Sequence, residues 1–227
     1  MSIFALSDLH LSFSADKSME VFHGWENYTE RIRSNWNRLV TNDDVVVLAG
    51  DTSWATDLEE TKLDFRFIEE LNGKKILLKG NHDYWWTTLR KMNLFLEKNH
   101  FQTIQILHNN CIEIGDYCIC GTRGWVYDKS GEEDTLIVSR ECGRLRTSLQ
   151  CGVKTGKKIL TFLHYPPVFG DEVCQPICDV LHEFQIETVY FGHIHGNGIR
   201  YIKKEYEGIH FRLISCDCVD FTPIFVV

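Results

Sequence analysis

Residues 45–51 read VVVLAGD, and residues 76–83 read ILLKGNHD. Each is a short apolar run that stops at glycine and then presents side chains able to hold a metal. Aliphatic, β-branched runs of this length bounded by turn residues are strands, expected here over 44–48 and 75–78. Between them Leu63, Phe67, Ile68 and Leu71 recur at spacings of three and four, the period of an amphipathic helix, with Gly73 placed as its C-terminal cap. Strand, helix and strand joined by short connections give a parallel pair with the helix laid across it.

The same unit is repeated upstream. Ile3 to Ser7 is an apolar run ending in Asp8-Leu9-His10, and Trp25, Tyr28, Ile32, Trp36 and Leu39 mark a helix before the next strand. Downstream, Ile104 to Leu107 and Tyr117 to Cys120 are closely spaced strand-like pieces, and Val138, Cys142, Leu145 and Leu149 predict another helix. Residues 158–163 and 188–191 are further strands, with a short helix opened by Pro176 between them, and the tail from Gly198 alternates as antiparallel strands do. No repeat, low-complexity tract or linker interrupts the chain, so one domain over residues 1–227 is expected.

Composition narrows the class. With 44% hydrophobic residues the chain can bury a core, and its formal charge of −8 gives no global pull toward nucleic acid or an anionic membrane. No apolar run approaches the roughly 20 residues of a membrane helix. The first residues hold neither a basic stretch nor a long apolar one, and the expected compartment is the cytoplasm. Nine cysteines in that setting are expected to be reduced thiols, including Cys118/Cys120 and Cys216/Cys218, whose i, i+2 spacing puts both thiols on one face of a strand.

Five strand-like runs end in metal-type side chains: Asp8 and His10, Asp51, Asn81-His82-Asp83, His164, and His193 and His195. In open α/β sheets, ligands gather beyond the carboxyl ends of parallel strands, so the five clusters are expected to converge. Carboxylate, imidazole and amide donors suit manganese, iron, zinc or nickel better than calcium or magnesium. Seven such donors exceed what one tetrahedral ion takes and match two ions sharing a carboxylate, the arrangement that serves displacement at phosphorus.

The order D-x-H, G-D, G-N-H-D, H and G-H-x-H, spanning Asp8 to His195, resembles the calcineurin-like metallophosphoesterases. The resemblance implies an α/β fold, a β-sandwich of two mixed sheets flanked by helices in four layers. It implies that Asp8, His10, Asp51 and His195 bind one metal, that Asp51 bridges to a second held by Asn81, His164 and His193, and that His82 protonates the leaving oxygen. Trp54, Ala55 and Thr56 stand where the protein serine/threonine phosphatases of this superfamily carry an Asp and then Arg-Gly, and Lys79 stands where they carry Arg. The aspartate that would orient His82 is therefore missing.

The expected activity is hydrolysis of a small phosphomonoester or phosphodiester such as a nucleotide. A nuclease or protein phosphatase is the alternative, and a metal-binding scaffold a more distant one. Nucleic acid remains open as a partner, a membrane does not. Substrate contacts are expected from Asn81, from Arg123 in a turn after a strand, and from His23 in the long stretch Leu11 to Gly24. Trp54, Trp85 and Trp86 lie beside the motifs as props or stacking platforms.

Overall fold

The computed structural model describes residues 1–125 and 132–227, with side chains from Thr135 in the second stretch. The strands are β1 (Ile3–Leu6), β2 (Val45–Leu48), β3 (Lys74–Leu77), β4 (Ile104–Ile106), β5 (Ile112–Ile114), β6 (Tyr117–Thr122), β7 (Lys158–Leu163), β8 (Val168–Phe169), β9 (Glu172–Val173), β10 (Thr188–Phe191), β11 (Glu205–Tyr206), β12 (Ile209–Leu213) and β13 (Ile224–Phe225). The helices are α1 (Tyr28–Leu39), α2 (Lys62–Glu70), α3 (Leu89–Lys98), α4 (Glu132–Thr155) and α5 (Gln175–Glu183), with 3-10 turns at Met19–Val21 and Gly196–Tyr201.

Two mixed sheets result, ordered β13-β1-β2-β3-β4 and β11-β12-β10-β7-β6-β5. In the first sheet β1 to β4 are parallel and β13 closes one edge antiparallel to β1. In the second, β12, β10, β7 and β6 are parallel, with β11 and β5 antiparallel at the edges. The expected sandwich of two mixed sheets is therefore present. The alternating tail behaves in two ways. β11 and β13 are antiparallel as expected, but β12 follows a crossover and lies parallel to β10.

The fully apolar runs are explained by burial on both faces. All four residues of β2 are buried. One face of the first sheet packs on Trp36, Phe65 and Phe95 of α1, α2 and α3. Ile3, Val45, Ile76, Ile119, Phe162 and Ile214 fill the space between the sheets. Leu145, Leu149, Ile177 and Leu181 of α4 and α5 cover the second sheet and form one core with Cys118 and Cys120 of β6. Each large apolar side chain in these layers contributes about 1.5–3 kcal/mol by leaving water.

The helix α3 is an addition to the expected elements. Its buried stripe is only Met92, Phe95 and Leu96, on a helix that also carries Arg90, Lys91, Glu97 and Lys98, and Thr88 caps it by accepting from the Lys91 N–H. All nine cysteines are free. Among the described residues no helix is long and apolar enough to cross a membrane.

Candidate metal centre

In-register parallel pairing aligns Leu6 with Leu48 and Leu48 with Leu77, so the segments after β1, β2 and β3 leave the sheet side by side. Likewise Phe191 pairs with Leu163, which brings the turn after β10 beside His164. Asp8, His10, Asp51 and His193 all adopt left-handed backbone, with φ of 61°, 46°, 51° and 72°. For a residue with a side chain this conformation costs about 1–2 kcal/mol and persists only where the surroundings enforce it. The enforcement is visible in hydrogen bonds. Asp8 and His10 donate their N–H groups to the carbonyls of Gly50 and Asp51, and the His193 N–H donates to the Asp8 carboxylate. Two glycines permit the approach: a Cβ on Gly80 would strike the Asp51 carboxylate, and one on Gly192 would strike Ser7 and Asp8.

Two groups of side chains emerge, each with its donor atoms within 4.8 Å of one another: Asp8, His10 and His195, and Asp51, His164 and His193. His195 Nε2 lies 3.3 Å from Asp8 Oδ1, and His164 Nε2 lies 3.4 Å from Asp51 Oδ2. The groups meet at Asp51, whose Oδ2 is also 3.8 Å from His10 Nε2. Asn81 joins the second group, its Oδ1 2.7 Å from His164 Nε2. All seven expected ligands thus converge on one edge.

The donor set fits metal ions on its own terms. His195 Nε2 is buried without a hydrogen-bond partner, as an atom reserved for a cation would be. Each group also contains one proton that a cation could replace. Burial works against charge on His195, but Asp8 and Asp217 outweigh it and raise its pKa to about 10. Burial likewise opposes charge on His164, and Asp51 overcomes it, raising the pKa to about 9. Burial pushes His10 and His193 down to about 4, so they are free to bind a cation as neutral imidazoles. Asp8 is fully buried, which resists ionisation, yet the surrounding imidazoles hold its pKa well below the carboxylate range.

Outer partners orient these groups, and the sequence did not single out most of them. Asp217 accepts from His195 Nδ1 and from the Gly196 N–H, both at 2.8 Å. His164 Nδ1 lies 3.0 Å from the Ala49 carbonyl, and Ser215 donates to Asp8 at 2.8 Å. Asp83 accepts from the N–H groups of Gly80, Asp51 and Thr52 and from Trp85 Nε1, tying two of the loops together. Such partners set ring orientation and basicity. A signal for Asp217 existed: an acidic residue three positions after Leu213-Ile214, masked by the two cysteines that flank it.

His82 stands outside both groups. Its N–H donates to Asp51 Oδ1 at 2.8 Å, while its ring lies 4.3 Å from Trp54 and 5.7 Å from His10. Burial holds its pKa below the ordinary histidine value. The Asp83 carboxylate is taken up by backbone N–H groups and Trp85. The tilted face of Trp54, which also stacks on His10 at 4.9 Å, supports His82 where an aspartate stands in the protein phosphatases.

The sequence matches the model of the calcineurin-like phosphoesterases over residues 1–197. The chain belongs to that family. Membership implies a hydrolase acting on phosphoester bonds. Among solved structures, a protein of unknown function from Aquifex aeolicus aligns at 16% identity and a TM-score of 0.54, covering 99% of this chain and 95% of the other. The protein TT1561 of Thermus thermophilus aligns at 13% identity and a TM-score of 0.58, with 93% and 87% covered. At these identities the likeness shows the fold. No protein of curated function matches the sequence.

Around the centre of this calcineurin-like phosphoesterase, the other expected contacts divide. His23 lines a cavity of about 780 Å³ together with His10, His82, His195, Met19, Trp25, Ile199 and Phe221. Arg123 lines a different, much smaller cleft. Its guanidinium lies 3.6 Å from Glu141 and over the Trp125 ring, and its carbonyl accepts the N–H groups of His164 and Tyr165. Trp85 is buried and Trp86 donates to His108, so both act as props beneath the ligand loops.

Proposed function

We propose that this chain is a dimetal-dependent hydrolase of small phosphomonoesters or phosphodiesters, such as a nucleotide. Asp8, His10, Asp51 and His195 hold one ion, and Asp51, Asn81, His164 and His193 hold the other; manganese, iron, zinc and nickel all suit the donors. The observation that carries this reading is the position of Asp51, one carboxylate within 4 Å of an imidazole from each group. When bound, two such ions neutralise phosphoryl charge and activate water. The chain's own part is to fix the donors through Asp83, Asp217 and Ser215, and to keep a proton donor, His82, just outside them. With no membership in either group, His82 is free to give its proton to the departing oxygen.

Elemental analysis should find up to two equivalents of transition metal per chain, and chelation should abolish hydrolysis of phosphoesters. Full activity in excess chelator, with no metal bound, would sink the proposal. Asp51→Asn should reduce turnover more than any other single ligand change, because it weakens both groups at once. Wild-type turnover with both metals retained in that variant would remove the bridging role.

A further inference from the structure

We infer that the part of the substrate that leaves is an uncharged alcohol carrying a flat, apolar ring system, seated in the 780 Å³ cavity beside His82. The inference rests on the proposed phosphoesterase activity and names the class of its substrate.

Position comes first. His82, His10 and His195 form one wall of this cavity, so the proton donor faces into it and the oxygen that receives the proton must sit at that wall. The apolar part of the lining is Met19, Trp25, Ile199 and Phe221, and Trp25 adjoins the histidines, its ring 6.1 Å from His10 and 5.8 Å from His195. Trp25 and Phe221 meet edge to face at 5.0 Å and are buried, which makes that wall rigid. The size lies within the usual range for small-molecule sites, roughly 300–1,000 Å³.

Charge decides what fills it. Arg31 is the guanidinium in the wall, and it is already paired: it meets Asp220 at 2.6 Å, donates to the Gly24 carbonyl at 2.7 Å, and stacks on Phe221 at 4.1 Å. Asp217 has both oxygens occupied by His195 and Gly196. His23 projects into solvent beside Glu26. Lys17 lies over the Trp54 ring and is not part of the wall. Among the described residues, the wall therefore offers no unpaired guanidinium or ammonium group to a second phosphate. Beyond the ion proposed at His10 and His195, a leaving group bearing a second phosphate would therefore find no further cation in the wall, whereas a neutral ring gains contact with Met19, Trp25, Ile199 and Phe221.

The step balances without a further reactant. The oxygen of water bonds to phosphorus as the bond from phosphorus to the alcohol oxygen breaks. The electron pair stays on that oxygen, which takes the His82 proton, and His82 regains a proton from the attacking water.

The test uses the full chain reconstituted with manganese and the esters methyl, benzyl and 1-naphthylmethyl phosphate, whose alcohols are chemically alike at the breaking bond. The specificity constant kcat/KM should climb about tenfold per added ring, and adenosine monophosphate should be cleaved faster than the diphosphate or triphosphate. Separately, calorimetry on metal-free protein should detect binding of 1-naphthalenemethanol, weakened severalfold in Ile199→Ala, a variant that should also lower the naphthylmethyl-to-methyl selectivity ratio. A flat series, preference for the triphosphate, or no binding of the alcohol would overturn the inference while leaving the phosphoesterase reading intact. Failure to cleave any ester with two metal equivalents bound would overturn that reading, and the inference with it.

Discussion

The two flanks of the centre differ in kind. Beside His82 and His195 the walls are aromatic, the charged groups are already paired, and the space is about 780 Å³. Behind His164 and Asn81, the residues Lys79, His108, Arg123, Glu141 and Arg144 crowd a cleft of about 30 Å³. There Glu141 is fully buried, accepting from Thr122 at 2.6 Å and pairing with Arg123 and Arg144. The charged flank directs its polarity inward and holds the β6 end, through the Arg123 carbonyl, against the His164 turn. The open flank leaves its surface to something else. On the proposed reading the charged cleft acts as a brace and the apolar hollow as the receptor.

The strongest way to break this contrast is at His82, on the open flank. His82→Ala should retain metal and fold but lose roughly 10²–10⁴-fold in turnover on alkyl phosphoesters. The loss should shrink sharply on p-nitrophenyl esters, whose leaving group departs without a proton. Equal losses on both, with metal retained, would mean that His82 positions water or phosphate. Loss of metal would make it a ligand.

On the braced flank the expected effect is on stability. Glu141→Ala removes the buried acceptor shared by Thr122, Arg123 and Arg144, and losing these charge-assisted bonds should cost about 1.5–3 kcal/mol. The midpoint of denaturant unfolding measures it. If stability is unchanged and KM rises instead, the cleft contacts substrate and the two flanks are alike. Asp217→Ala should be milder, weakening metal binding about 10–100-fold by releasing the His195 ring. Titration with a competing chelator reads this, and an unaltered affinity would show that His195 needs no orienting partner.

The smallest effect is acid sensitivity at His108. Burial, helped by the charges of Arg144 and Lys79, holds its pKa below the ordinary 6.5, and its Nδ1 accepts from Trp86. The unfolded chain therefore takes up this proton first as pH falls. The contribution to stability is complete above about pH 6.5 and is lost as pH drops through the folded value. His108→Gln should flatten that part of the dependence of Tm on pH between about 7 and 5. An unchanged slope would remove His108 from the account.

What was legible in the sequence is what is local. Each donor follows an apolar run directly, so Asp51 and Asn81 could be placed from VVVLAGD and ILLKGNHD alone. The sandwich followed from a resemblance carried by those motifs, since periodicity by itself implied only a parallel sheet with covering helices. The support of His82 by Trp54, the clasp of Asp217 on His195 and the gathering of Met19 and Phe221 around one cavity depend on residues distant in the chain. No spacing encodes them. The helix α3 was hidden for another reason: its stripe of three buried residues is short and its other faces are charged.

Asp8 illustrates a last consequence. Its carboxylate is held by the His193 N–H and the Ser215 hydroxyl, and the strand before it pairs with β13. These groups lie 185 and 207 residues from Asp8 along the chain. Contacts so far apart in sequence form late. The donors therefore stand isolated, with little hold on any ion, until residues as distant as Ser215 have packed against Asp8. On the dimetal reading, the ion taken is set by the pool that the folded molecule meets.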